Sequence, residues 1–207
     1  MKRLEAIASF ISPYKILADV GCDHGFLIKI AFEQGLIKKA YAIDNKFGPL
    51  GQAMSNLEDY PNVEFMLQDG LSKLNKDCDV VVIAGMGGFL VNEIINKGFQ
   101  NLKNVKRIIV EANKDSDKVR LNMYNHGYKI VEETCLVEDN KYYEIDCFER
   151  NDCEIYSSDE LFFGPILIKE KPIEFVNKWQ YELEKLKPIK QKKEFVKRIE
   201  GIFKWMY

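Results

Sequence analysis

The sequence predicts an α/β protein: a doubly wound, mostly parallel sheet of seven strands, followed by a C-terminal α-helical hairpin. Three observations predict it. Apolar strand-like runs alternate with segments of helical periodicity from residue 4 to residue 125, the signature of successive βαβ units. The run Val80-Val81-Val82-Ile83 is continuously apolar, as a central parallel strand covered on both faces must be. Two strand-like segments in direct succession, 128–137 and 141–148, close the series as an antiparallel edge.

Each element has its own cause. Leu4, Ile7, Ala8 and Ile11 recur at helical spacing, and Ser12-Pro13 ends that helix. Residues 15–20 form a strand that runs into Gly21, and Phe26, Leu27, Ile30 and Ala31 carry the next helix to about Gly35. A second strand covers 39–43, a helix 48–57, and a third strand 63–68, closed by Asp69-Gly70. Residues 79–84 are the fourth strand; Gly85-Met86-Gly87-Gly88 then leads into a helix over 89–96. The fifth strand is 107–110, and the helix 118–125 is ended by Gly127. A turn at Asp139-Asn140 joins the last two strands. Beyond them 173–187 is helical, Pro188 breaks the pattern, and a second helix spans 191–205. The expected division is a domain of residues 1–164 and a coiled-coil-like hairpin of residues 165–207.

At 207 residues, 46% apolar and 30% charged, the chain has room for one α/β core and a small appendage. No apolar run approaches a membrane span, and Met1-Lys2-Arg3-Leu4-Glu5 does not begin a signal peptide, so the expected location is cytoplasmic. Five cysteines (22, 78, 135, 147 and 153) contain no CxxC pair, and with two histidines they form no zinc-type set. No metal is expected, and the thiols read as reduced and buried. The net charge of −2 divides into −7 before residue 165 and +5 after it. A basic tail suits a polyanionic partner, and equally a solvated helical face.

The stretch Leu17-Ala18-Asp19-Val20-Gly21-Cys22-Asp23-His24-Gly25, with Asp44 ending the second strand, has the form of a nucleoside site. Glycine lets the backbone approach the ligand, and a strand-end acid accepts both ribose hydroxyls. A dinucleotide would set its pyrophosphate against the helix N-terminus, where Asp23 stands and repels it. A ligand with an ammonium group and no phosphate fits better. S-adenosylmethionine is such a ligand, its ammonium facing Asp23, its ribose Asp44, and its adenine the end of the third strand at Gln68-Asp69-Gly70. Acids end strands one, two and three at steps of about 25 residues, a methyltransferase pattern. Taken singly, each is also compatible with a helix cap. The candidate cofactor residues are Asp19, Gly21, Asp23, Asp44, Asn45, Asp69, Gly70, Ala84 and Gly85.

Lys2-Arg3-Leu4, the run DVGCDHGFL from Asp19 to Leu27, Gly48-Pro49, Asp69-Gly70-Leu71, Ile83-Ala84-Gly85-Met86-Gly87-Gly88 and Tyr143-Glu144 resemble, in this order, the bacterial tRNA (adenine-22-N1)-methyltransferase family. Phe163-Gly164-Pro165 extends the likeness, which otherwise covers residues 2 to about 150. The resemblance implies a class I, Rossmann-like methyltransferase domain, S-adenosylmethionine as donor, and tRNA as the acceptor, methylated at N1 of adenine 22 in the D-arm region. Two departures stand out: Glu111-Ala112-Asn113 replaces the family's usual Gln-Pro-Asn, and the tail is short.

Adenine N1 carries an in-plane lone pair and no proton, so its methylation requires positioning rather than an obligatory base. His24, Met86, Gly87 and Asn113 are the candidates around the reacting base, and Arg3, Lys190, Lys192, Lys193, Lys197 and Arg198 those for RNA. Two other readings stay open. One is methyl transfer to another RNA base or to a small molecule; the other is a non-catalytic RNA-binding module, against which the acids at 19, 23, 44 and 69 speak. No obligate protein partner is evident.

Overall fold

The computed structural model describes residues 2–151 and 155–206, except the side chains of residues 205 and 206. Cys153 lies outside the described residues. The chain runs α1 (Lys2–Ser9), β1 (Ile16–Val20), α2 (Phe26–Glu33), β2 (Lys39–Asp44), α3 (Phe47–Asn56), β3 (Val63–Leu67), β4 (Val80–Gly87) and α4 (Gly88–Gly98). It continues with β5 (Arg107–Lys114), α5 (Ser116–Asn125), β6 (Tyr128–Glu138), β7 (Lys141–Arg150), α6 (Ser158–Phe163), α7 (Pro165–Glu170), α8 (Ile173–Leu186) and α9 (Lys193–Met206).

The seven strands lie in the order β3-β2-β1-β4-β5-β7-β6. The first five are parallel, β7 is antiparallel to β5, and β6 is antiparallel to β7. Successive residues of β4 face opposite layers. Val81 and Ile83 pack with Val91 and Ile95 of α4 and Val119 and Met123 of α5. Val80 and Val82 pack with Leu27 and Ile28 of α2, Leu50 of α3 and Ile7 of α1. All four β4 side chains are fully buried, each contributing about 1.5–3 kcal/mol of transfer free energy. β1 and β4 are neighbours although not consecutive, so strand order reverses there, and a crevice opens beyond their carboxyl ends.

Three features differ from the sequence expectation. β4 does not stop at Ala84 but runs to Gly87, with register shifts against β5 at Ala84/Met86 and Met86/Gly87. The glycine segment is thus a bulged strand end rather than a free loop. Two short helices, α6 and α7, occupy a stretch read as having no element, and the expected boundary at 164/165 falls between them. The hairpin α8–α9 also shares a core with the sheet. Phe175, Trp179, Ile199 and Ile202 are buried together with Cys135 of β6, Phe163 of α6 and Leu167 of α7.

A buried ionic network stitches the same region. The guanidinium of Arg120 on α5 is fully enclosed, 2.9 Å from Glu133, 3.0 Å from Glu144 and 2.8 Å from Asp146. Lys178 on α8 reaches Glu144 at 2.6 Å, and Glu133 accepts the backbone N–H groups of Ile166 and Leu167. Burial raises the carboxyl pKa values of Glu133 and Asp146 against the pull of Arg120. Removing one member of such a network leaves an uncompensated buried charge, typically about 3–5 kcal/mol.

Candidate active site

A cavity of about 630 Å³ opens at the carboxyl ends of β1, β2 and β4. All nine residues expected around the cofactor line it, from Asp19 and Gly21 to Ala84 and Gly85. The turn after β1 is built by the backbone: Gly21 and Cys22 both donate to the carbonyl of Ile43 at 2.8 and 3.0 Å, and Gly25 donates to Cys22 at 2.7 Å. Gly21 has φ +77°, and a Cβ there would run into the Cε methyl of Met86. The end of that side chain could move aside, so it is the positive φ that calls for glycine here.

Three carboxylates converge on this space. Asp44 Oδ1 accepts the backbone N–H of Lys46 at 2.8 Å, and the residue lines the cavity. Asp23 stands at φ +49° on the turn, 3.6 Å from His24 Nε2. Asp19 is only 5% exposed. Burial, then the charges of Asp44 and Asp23, push its carboxyl up to about 7. Among the described residues neither Asp19 nor Asp44 has an ion-pair partner. The His24 ring lies over Phe26, centroids 5.5 Å apart, and both line the cavity.

On the opposite wall the bulge of β4 is held by β5. Gly85, at φ +75°, donates its N–H to Glu111 Oε2 at 3.0 Å, and its carbonyl accepts from Asn113 Nδ2 at 2.7 Å. Asn113 also borders a second hollow of about 940 Å³, between the β6–β7 turn and α8. Met86 and Asn113 line the cavity as expected of acceptor-side residues. Gly87 does not: a Cβ there would face Lys114 Cε at 3.3 Å, because the continuation of β4 turns this position toward β5.

The RNA candidates separate into two kinds. Lys190, Lys192, Lys193 and Lys197 are exposed around the break between α8 and α9. Arg198 is not part of that outward set: its Nε is 2.6 Å from Asp159 Oδ1 and its guanidinium covers Phe162 at 4.2 Å, pinning α9 to α6. Arg3 lines the cavity but is engaged inward, Nη1 3.2 Å from Glu111 Oε2 and its guanidinium 4.8 Å over the Tyr143 ring. His126, at the C-terminal end of α5, is half-buried, stacked on Phe99 at 4.1 Å and bonded to Asn96 at 2.8 Å.

Phe26 was not named as a site residue from the sequence, and Glu111 stood out only as a departure from the family's Gln-Pro-Asn. The signal for Glu111 was a charge ending the apolar run Ile108-Ile109-Val110; it is fully buried, and burial raises its pKa against Arg3 and the Gly85 N–H. The four described cysteines are buried, and burial pushes Cys78 and Cys135 up to about 12. Among the described residues no group of three or more His, Cys, Asp or Glu is placed to hold a metal ion, and no helix is long and apolar enough to cross a membrane.

Known proteins share this fold. The tRNA (adenine(22)-N(1))-methyltransferase of Bacillus subtilis is 32% identical over 192 residues, 88% of this chain and 81% of its own. The structure of Streptococcus pneumoniae Sp1610, a putative tRNA (m1A22) methyltransferase in complex with S-adenosyl-L-methionine, superposes with a TM-score of 0.92 and 38% identity, covering 100% of this chain and 99% of that one. M. capricolum TrmK bound to S-adenosyl-homocysteine gives 0.75 and 25%, covering 99% and 96%. Residues 17–202 match the family described as TrmK: tRNA (adenine(22)-N(1))-methyltransferase. The chain belongs to the TrmK family of tRNA (adenine(22)-N(1))-methyltransferases.

Proposed function

We propose that the chain methylates N1 of adenine 22 in the D-arm region of tRNA, with S-adenosylmethionine as donor. The observation that carries this reading is the convergence of Asp19, Asp23 and Asp44 on one cavity where neither Asp19 nor Asp44 is ion-paired. Such a set suits a ligand with two positive centres, an ammonium and a sulfonium, together with a ribose diol. When bound, S-adenosylmethionine supplies a methyl group on sulfonium, open to in-line displacement.

The remaining work belongs to the chain's own residues. Asp44 holds the ribose hydroxyls and Asp23 the ammonium, while Asp69 and Gly70 border the donor base. Adenine N1 has no proton to lose, so no side chain needs to act as base; the site must hold the ring edge-on at the right distance. Asn113 is arranged for this. One N–H of its Nδ2 is given to the Gly85 carbonyl, which fixes the amide, and its Oδ1 accepts from the adenine 6-amino group. Met86 offers an apolar side to the ring, and the His24–Phe26 stack an aromatic one. The target base must leave its stack to arrive here. Its ring becomes cationic on methylation, and the acidic cavity stabilises that developing charge. Lys190, Lys192, Lys193 and Lys197 hold RNA phosphates without reading sequence.

The test is nucleoside analysis by mass of tRNA from a strain lacking the gene, and of the same tRNA after treatment with the purified chain and donor. Loss and in vitro return of 1-methyladenosine, abolished by replacing A22, support the reading. Return of a different methylated nucleoside, or of none, overturns it.

A further inference from the structure

The bulge at Gly85 leaves the β4–β5 ladder, so the polar groups of that residue need partners elsewhere. Both come from β5: Glu111 takes the N–H and Asn113 the carbonyl, two side chains on the same face of one strand. Glu111 is fully buried, and a carboxylate there is costly unless a cation pairs with it. That cation is Arg3, delivered by α1 from the other end of the sequence and held flat by the Tyr143 ring. Glu111 Oε1 and Arg3 Nε are buried without partners, so the pair is joined through a single nitrogen and oxygen.

We infer that Arg3 and Glu111 are positioning residues for the acceptor side of the site: Arg3 keeps Glu111 ionised in place, and Glu111 fixes the Gly85 kink that Asn113 and the target base depend on. This rests on the reading that Asn113 and Met86 face the acceptor. Arg3 then acts through Glu111, not on RNA phosphate. The sequence departure follows from the same geometry. A glutamine in place of Glu111 would accept from Gly85 as a neutral amide; a glutamate needs a counter-charge, and this fold provides one.

The experiment compares wild type, Arg3→Ala, Arg3→Lys, Glu111→Gln and the double variant Arg3→Ala/Glu111→Gln on unmodified tRNA. Melting curves and calorimetry with S-adenosylhomocysteine accompany the kinetics. Arg3→Ala lowers kcat at least tenfold, with S-adenosylhomocysteine affinity and the KM for tRNA within about threefold of wild type. Adding Glu111→Gln to it removes the uncompensated charge and restores most of kcat, to within about threefold of wild type. Arg3→Lys keeps the charge without the planar fork and falls between; it serves in place of the alanine variant if that does not fold. A raised tRNA KM with intact kcat and no rescue makes Arg3 a phosphate contact and overturns the inference. Equal loss of donor affinity and kcat makes the pair a donor-site or folding element and also overturns it. If wild type itself does not methylate tRNA, it is the proposed function that fails.

Discussion

Asp19→Asn tests the electrostatic logic of the donor site directly. In the free protein the Asp19 carboxyl is pushed up to about 7, first by burial and then by Asp44 and Asp23, whereas in the unfolded chain it titrates near 4. Between those values the folded state binds a proton that the unfolded state has lost, so the contribution of Asp19 is intact below about pH 4 and declines as pH rises to about 7. Raising a carboxyl by about three pH units costs about 4 kcal/mol once it is ionised. Asparagine has nearly the same shape and no charge. The variant therefore gains stability over wild type as pH rises, by about 2–4 kcal/mol at pH 8, and little at pH 4.5. For a chain of this size that is a difference of roughly 5–15 °C in Tm. The same substitution weakens S-adenosylhomocysteine, because its ammonium, the one cation on that ligand, offsets the charge of Asp19 as well as that of the neighbouring Asp23. Thermal melts of both proteins across pH 4.5–8, with and without S-adenosylhomocysteine, are the assay. Melting curves that stay parallel across pH, or a variant that binds the ligand as tightly as wild type, refute the reasoning.

Further outcomes are expected. Asp44→Ala removes the acceptor of the ribose hydroxyls and strands the Lys46 N–H, weakening S-adenosylhomocysteine by about 2–4 kcal/mol in calorimetry; unchanged affinity would place the ribose elsewhere. Reversing Lys192, Lys193 and Lys197 to Glu leaves the fold intact, lowers tRNA affinity and flattens its salt dependence by about two to three counterions, whereas Arg198→Ala lowers Tm through the lost contacts to Asp159 and Phe162; an unchanged salt slope in the triple variant reduces the tail to a structural part. Methyl transfer survives a strong chelator and replacement of all five cysteines by Ser or Ala in any variant that folds, and activity lost on chelation and restored by one metal would overturn this account.

The strand–turn–acid repeats were legible because each is local. A buried parallel strand is apolar along most of its length, and the positions at or just beyond its carboxyl end are where a ligand-facing acid can stand, so Asp19, Asp44 and Asp69 could be expected at the cavity from spacing alone. Helix α6 also carried a local signal that went unread. Ser157 and Glu160 form a capping box, each side chain bonded to the other's backbone N–H at 3.2 and 2.7 Å. The length of β4 was hidden by its glycines, which weaken a strand in isolation and are tolerated here because β5 continues beside them. Arg3 and Arg198 read as outward charges available to RNA because their partners lie far off in sequence. Arg3 finds Glu111 across 108 positions and Arg198 finds Asp159 across 39, distances at which no periodicity or motif announces a pair.

On the proposed reading, this difference in legibility divides the site by function. The donor half is made of backbone turns and the carboxylates at strand ends, each positioned by the few residues around it. A ligand with two fixed charges and a diol needs no more than that. The acceptor half depends on contacts that exist only once the whole sheet has closed: Glu111 and Asn113 of β5 on a bulge of β4, Arg3 of α1 on Glu111, and Tyr143 of β7 on Arg3. A substitution on the donor side should therefore change binding with little effect elsewhere, while one on the acceptor side should spread across the cluster and give non-additive losses among Arg3, Glu111 and Asn113. The chain also departs from its family's Gln-Pro-Asn pattern on the acceptor side, at Glu111-Ala112. A change there is tolerable when its compensation, a cation from the first helix, lies inside the same closed cluster.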